Sequence, residues 1–182
     1  LYNVAAVINR GELLAFVPKM RMPNDAEFYE RRHFVPGNAE PWDVLYDGKC
    51  IPFGTNLLFE SEAVKGFVVA AEICEDLWVA NTPGTAHALA GATVLVNLSA
   101  SNETIAKDSY RNTLVQSTSA RLISAYIYAN AGEGESTQDL VFAGHNLICE
   151  NGVLLNESDR FENQTIYADI DIHKIRNERR RN

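Results

Sequence analysis

At 182 residues, 46% apolar and 22% charged, the chain has the composition of one globular domain with a sizeable core. A net charge of -8 argues against nucleic acid or an anionic membrane as partner, and the one basic run, Arg179-Arg180-Arg181, reads as a solvated helix end. No signal peptide and no apolar run long enough to span a bilayer are present. The cysteines Cys50, Cys74 and Cys149 are too widely spaced for a CxxC zinc site or a disulfide framework, which suits a reducing cytoplasm.

In chain order, the apolar run at residues 1–8 predicts a buried strand. Asn9-Arg10-Gly11-Glu12 predicts a hairpin turn, and 13–17 the returning strand. Pro18 ends it and leaves Lys19 at a strand end, where a lone lysine is usually exposed. Pro23 and Pro36-Gly37 bracket a short helix predicted over 26–31. Within it, Glu30 reads as a surface ion pair with Arg31 or Arg32. Residues 43–46 and 49–53 predict two weak strands.

The apolar run 67–71 predicts a buried strand that delivers Glu72-Ile73-Cys74-Glu75-Asp76 at its C-terminal end. Ligands bind at that end of open α/β sheets. Residue type alone favours a structural cysteine. Thr82 and Pro83 read as the N-cap and first position of a helix that Gly91 stops. Residues 92–98 are a further strand, passing to Ser99-Ala100-Ser101-Asn102. Residues 103–122 have helical spacing, and 123–130 is a strand.

The Gly-rich loop 131–137 lacks a GxxxxGK[ST] pattern, and its two glutamates would repel phosphate. Residues 140–142 and 145–149 lead to a tight turn at Glu150-Asn151-Gly152, with 153–156 returning. A final strand is predicted at 165–170, and a charged helix begins near Asp171. The pattern is a mixed α/β sheet with its chemistry at strand ends. Both ends read as cut, as in a piece of a longer protein.

Cys74, Lys19 and Glu30 are the candidate reactive set. A thiol acts as thiolate, and a nearby ammonium lowers its pKa. The same ammonium, with a backbone N–H after the nucleophile, can hold an oxyanion. A carboxylate must take the thiol proton and pass it to a leaving amine. These are the parts of acyl transfer through a thioester. His33, His87, His145 and His173 are scattered, and none has the setting of a papain-like base.

Pro18-Lys19, with Phe28-Tyr29-Glu30-Arg31-Arg32-His33-Phe34 and Pro36-Gly37, resembles the lysine motif of the nitrilase, or carbon–nitrogen hydrolase, superfamily. Glu72-Ile73-Cys74-Glu75-Asp76-Leu77-Trp78 resembles its cysteine motif, and Gly144-His145-Asn146 with Glu150-Asn151-Gly152 its late hairpin. Asn97-Leu98-Ser99-Ala100-Ser101 and residues 128–137 resemble, more narrowly, the glutaminase domain of glutamine-dependent NAD synthetases.

The resemblance implies an α/β fold of the nitrilase kind: an α-β-β-α sandwich of mixed sheets flanked by helices, its four layers formed when two subunits pack together. It implies that residues 1–182 are a single glutaminase domain truncated at both ends, without its N-terminal segment. By the same resemblance Cys74 is the nucleophile, Lys19 holds the oxyanion and Glu30 orients the lysine. Glu75 and Ser101 match positions that hold the amino-acid end of glutamine, and Trp78 an aromatic that walls the pocket.

The family's general-base glutamate precedes the lysine. Only Glu12, in a hairpin turn, does so here, so the fragment alone is expected to be inactive and inclined to self-associate. Asp25 stands where relatives tend to carry an aromatic. The implied partners are L-glutamine, a synthetase domain of the same polypeptide and further copies of the chain. No cofactor or metal is implied in this domain; ATP and Mg2+ belong to the absent synthetase domain, which amidates deamido-NAD to NAD. Alternatives are a stand-alone amidase of the same family acting on another small amide, and a non-catalytic dimerisation module.

Overall fold

Strands β1 (Val4–Asn9) and β2 (Glu12–Pro18) pair antiparallel with Ala5 opposite Val17 and Val7 opposite Ala15. Two left-handed residues, Arg10 and Gly11, make the turn between them. A second hairpin, β3 (Trp42–Tyr46) and β4 (Lys49–Phe53), joins through β2, giving a four-stranded sheet in the order β1-β2-β4-β3. This computed structural model covers residues 1–182 and describes all of them except Asp25 and Gln138. The departure read at Asp25 therefore lies outside the described residues.

The second sheet has six strands. They are β5 (Phe59–Glu60), β6 (Val68–Ile73), β7 (Val94–Ser99), β8 (Ala125–Asn130), β9 (Leu147–Glu150) and β10 (Val153–Glu157), ordered β10-β9-β8-β7-β6-β5. Its centre, β6-β7-β8, is parallel. Parallel neighbours need crossovers, and α1 (Pro83–Leu89) and α2 (Lys107–Leu122) supply them. As the sequence predicts, Thr82 caps α1, its hydroxyl accepting the Thr85 N–H at 3.3 Å. A last helix, α3 (Ile172–Arg181), ends the chain.

Strand residues alternate between two cores. Ala70, Leu95 and Tyr126 face the helices with Val115 of α2. Their neighbours Ala71 and Val96 face the other sheet and meet Ala5, Val7 and Val17. Helices, six-stranded sheet and four-stranded sheet thus stack as layers within one chain. The mixed-sheet α/β architecture is as expected, but the sheet-on-sheet packing needs no second subunit. The outer face of the smaller sheet carries an aromatic cluster in which Tyr2, Trp42 and Phe53 touch, with ring centres 4.6 Å apart for Trp42 and Phe53.

Three elements differ from those read in the sequence. The helix over 26–31 is only a 3₁₀ turn, Glu30–Arg32; Ala26 sits in the left-handed region, and too few residues remain before Pro36 to nucleate a helix. The helix over 103–122 starts at Lys107, because Ala106 has φ 64. The strand over 165–170 forms no ladder. Ile166, Ala168 and Ile170 alternate inward, but the Tyr167 carbonyl accepts from the Asn156 side chain at 2.8 Å instead of from a neighbouring strand.

Arg179 is not the solvated helix end its sequence suggests. Arg180 and Arg181 are exposed, but Arg179 reaches inward and donates to Ala92 O (2.7 Å), Ile123 O (2.8 Å), Leu122 O (3.1 Å) and Ala88 O (3.3 Å). Ala88 lies in the last turn of α1, Leu122 and Ile123 at the end of α2, where carbonyls need donors, and Ala92 in the link from α1 to β7. Among the described residues no helix is long and apolar enough to cross a membrane. Arg179→Ala should destabilise the fold by about 2 kcal/mol or more, and Arg179→Lys should recover only part of it, because one ammonium cannot fork to both helices. Urea unfolding of the two variants checks this.

Candidate active site

The centre of the site is a turn that apolar sequence alone would not make. β6 is buried at Ala70-Ala71-Glu72-Ile73, and Cys74 follows at φ 49, opening a 3₁₀ turn over Cys74–Leu77. A left-handed non-glycine residue costs about 1–2 kcal/mol and persists only where neighbours over-determine it. Here two side chains do so. Asn97 of β7 accepts the Cys74 N–H through Oδ1 (3.2 Å) and turns Nδ2 toward the Cys74 carbonyl (3.4 Å). Asp76 accepts the Ile73 N–H at 3.0 Å.

Asp76 also reaches the other sheet. It is fully buried and accepts the N–H groups of Arg21 (2.7 Å) and Met20 (3.1 Å), the residues directly after Lys19. Burial raises its pKa, against the hydrogen bonds from Ile73, Arg21 and Met20 and the nearby Lys19 charge. One carboxylate thus binds the end of β2 to the Cys74 turn. Lys19 is 1% exposed, contrary to the usual fate of a strand-end lysine. Its ammonium donates to Glu30, whose other oxygen accepts from Asn3 at 3.2 Å. Glu30 is therefore no surface partner of Arg31 or Arg32; the Arg32 guanidinium lies over the Tyr29 ring, 4.6 Å from its centre.

Cys74, Lys19 and Glu30 line one cavity of about 870 Å³, with Asn3, Glu27, Ser99 and Asn130. His33 also reaches its wall. His87 and His145 are buried elsewhere, on Thr55 O and on Arg111, and His173 is exposed. Glu75, Ser101 and Trp78 are not lining residues. Glu75 is half-buried in the turn beside Cys74. Ser101 is buried, its backbone gripped by Asn130, which accepts its N–H at 2.9 Å and donates to its carbonyl at 3.0 Å. Trp78 packs on the helix-side core, with Tyr110 beside it and the Lys107 ammonium 5.4 Å from its ring centre.

Sequence reasoning missed Asp76, Asn97, Asn102, Glu27 and Lys107. Asn102 links the last two: its Nδ2 donates to Glu27 at 2.6 Å, and its oxygen accepts from the Lys107 ammonium. Burial and the Arg111 charge lower the Lys107 pKa, while Cys74, Glu27 and Glu103 raise it. The signals were present. Asn97 is a polar residue within the apolar run of β7, and Asp76 is one carboxylate more than the chemistry asks for.

Beneath the thiol lies a further ionisable group. Glu72, opposite Asn97 in the parallel ladder, accepts from Gly84 N–H at 2.8 Å and from the Tyr126 hydroxyl. A Cβ at position 84 would stand 2.9 Å from that carboxylate, so a glycine belongs there. Among the described residues no group of His, Cys, Asp and Glu is placed to hold a metal ion.

Comparison with known proteins fits this geometry. The carbon–nitrogen hydrolase family matches over residues 1–180. The chain belongs to that family. The chain is 49% identical to the glutamine-dependent NAD(+) synthetase of Mycobacterium tuberculosis over 183 residues, which is 100% of this chain and 27% of the relative. It is 30% identical to the Aquifex aeolicus protein of the same description, over 98% of this chain and 28% of that one. It thus spans about a quarter of the relatives it matches.

Among solved structures, a glutamine-dependent NAD(+) synthetase from Cytophaga hutchinsonii superposes with a TM-score of 0.76 at 31% identity, covering 87% of this chain and 25% of that one. A carbon–nitrogen hydrolase from Helicobacter pylori shares the fold, with a TM-score of 0.75 at 20% identity over 99% of this chain and 60% of its own. Carbon–nitrogen hydrolase membership makes an enzyme of the class and gives the cavity's thiol, ammonium and carboxylates a common setting.

The Glu72 carboxyl is pushed up from 4.5 to about 7, first by burial, with the Tyr126 and Gly84 bonds pulling it back. A carboxyl whose pKa is raised in the folded state holds its proton longer there than in the unfolded chain. Its contribution is therefore lost as pH climbs from about 4.5 to about 7. Glu72→Gln cannot ionise, so its stability relative to wild type should improve with rising pH across that window. Thermal melts at pH 5 and about pH 8 check the slope; equal slopes for the two proteins would contradict it.

Proposed function

We propose that this chain is the glutaminase part of a glutamine-dependent NAD synthetase, with Cys74 as nucleophile. The observation that carries the reading is the convergence, in one cavity, of the Cys74 thiol with the buried Lys19–Glu30 pair. The 49% identity over the whole chain to a protein of that description supports the choice of amide.

In the proposed reaction, Cys74 Sγ gives up its proton to a carboxylate and attacks the side-chain amide carbon of glutamine. The C–S bond forms, and the carbonyl electrons pass to oxygen. The Lys19 ammonium, held by Glu30, and a backbone N–H of the 3₁₀ turn take that charge. The Cys74 N–H is engaged by Asn97, which leaves the donor to a later residue of the turn. Collapse breaks the C–N bond, and the nitrogen leaves as ammonia after taking up a proton. Water then cleaves the thioester, releasing glutamate and restoring the thiol.

Glu27 and Glu30 are engaged by Asn102 and Lys19, and Glu12 sits at the far end of β2. The family resemblance gives the role of proton acceptor to a glutamate that precedes the lysine. We keep Glu75 and Ser101, each next in the chain to a lining residue, as the groups that hold the amino-acid end of glutamine, with Trp78 beside them and Glu27 as a further polar contact on the wall. In the full-length enzyme the ammonia passes to an ATP- and Mg2+-dependent synthetase domain that amidates deamido-NAD.

Acid quenching of the full-length enzyme during glutamine turnover should leave a glutamyl adduct on Cys74. An adduct on Cys50 or Cys149, with Cys74 free, overturns the assignment. Lys19→Ala should keep its fold by circular dichroism yet release ammonia from glutamine roughly 10²–10³-fold more slowly. Lys19→Arg should not restore the rate, since a planar fork does not replace a compact ammonium. Near-normal turnover in folded Lys19→Ala would remove the lysine from the mechanism.

A further inference from the structure

His145 and Asn146, the residues just before β9, take no part in the chemistry above, yet each is tied to the loop that follows β7. The Asn146 Oδ1 accepts the Asn130 N–H at 2.8 Å, and its own N–H is held by Ser158 Oγ at 2.8 Å. Asn130 in turn grips both backbone groups of Ser101, at 2.9 and 3.0 Å.

His145 reaches the same loop by a second route. It is 1% exposed, and its Nδ1 lies 2.7 Å from Arg111 Nη1. A guanidinium has donors only, so Nδ1 accepts, and the ring proton of neutral His145 sits on Nε2. From there it is donated to Glu157 at 2.6 Å. Arg111, itself fully buried, also donates to Glu103 at 3.0 Å and to the Asn102 carbonyl at 3.3 Å. Three consecutive loop residues, Ser101, Asn102 and Glu103, are thus held by Asn130 and Arg111, which in turn are held by the adjacent residues Asn146 and His145. The side chain of the middle one, Asn102, grips Glu27 on the cavity wall.

We infer that His145 and Asn146 are positioning residues for substrate binding, acting through Arg111 and Asn130 on the 101–103 loop and so on Glu27. The inference rests on the glutaminase reading. It concerns affinity and not the thiol: Lys19, Glu30, Asp76 and Asn97 set Cys74, and among the described residues no hydrogen bond joins them to this network. A buried polar network fixes geometry through its hydrogen bonds and loosens when one of them is removed.

The test uses the full-length enzyme and three substitutions. His145→Leu removes both ring bonds. His145→Gln can still accept from Arg111 and donate to Glu157. Asn146→Ala cuts the other route and serves if His145→Leu does not fold. Glutamine KM should rise roughly tenfold in His145→Leu and about threefold in Asn146→Ala, with kcat changed less than about twofold. His145→Gln should return KM to within about threefold of wild type.

Alkylation of Cys74 by iodoacetamide should keep its wild-type rate in all three, a result that general loosening of the fold would not give. Unchanged KM in the folded variants, or a fall in kcat matched by slower alkylation, overturns the inference while leaving the glutaminase reading intact. A wild-type enzyme that releases no ammonia from glutamine overturns the reading and the inference with it.

Discussion

The Asp76 carboxylate accepts backbone N–H groups from two segments more than 50 residues apart in the chain: Ile73 before Cys74, and Met20 and Arg21 after Lys19. The first ends a strand of the larger sheet, and the second directly follows β2 of the smaller one. The two sheets touch mainly through small and branched side chains, Ala5, Val7, Val17, Ala71 and Val96. Such a contact gives adhesion with little directionality. A hydrogen-bonded carboxylate is directional, and it sets where the β2 end stands relative to Cys74. Burying it is unfavourable unless its oxygens are satisfied. The same requirement keeps all three N–H donors in place.

The strained Cys74 backbone follows from that arrangement. Were the strand simply to continue, the thiol would point into one core or the other. The left-handed step at Cys74 turns the chain into the 3₁₀ turn that carries Asp76 back toward β2. Asn97 then satisfies the N–H and carbonyl that the ladder no longer reaches. Below it, Glu72, Tyr126 and the Gly84 N–H form a second polar layer in an otherwise apolar sheet. Polar groups at this depth are costly unless paired. They concentrate beneath one strand end, which is where a sheet spends stability on a site.

What could be read from the sequence divides along the same lines. Apolar runs and turn residues are local, and most of the strands, the hairpin turns at 9–12 and 150–152 and the capped helix α1 fall where those signals put them. The failures are also local in cause. Ala26 and Ala106 adopt left-handed backbone that their identity does not announce, and residues 165–170 alternate like a strand without finding a partner to pair with. Cys74, Lys19 and Glu30 were legible only because spaced motifs resemble a family; residue type alone made the cysteine structural, the lysine exposed and the glutamate a surface ion pair. Asp76 and Asn97 stood out as polar residues in apolar surroundings, but their roles did not, and Asn102 gave no signal. The partners that define those roles, Met20, Cys74 and Glu27, lie 23 to 75 residues away, which no local pattern encodes.

The proposed reactive set is therefore a property of the sandwich and not of either sheet. β6 brings the thiol, β2 brings the ammonium, and the short turn at Glu30–Arg32 brings the carboxylate that fixes it. Neither sheet alone holds more than one member of the set at a strand end. Any change that shifts one layer against the other by about 1 Å, however far from the cavity, would move Lys19 against Cys74 and spoil the alignment on which such chemistry depends. Selection on activity then acts on the whole inter-sheet contact. That gives a physical reason for small residues such as Ala5 and Ala71 at its centre: they let the two backbones approach closely enough for one short carboxylate, Asp76, to span from the Cys74 turn to the segment that follows β2.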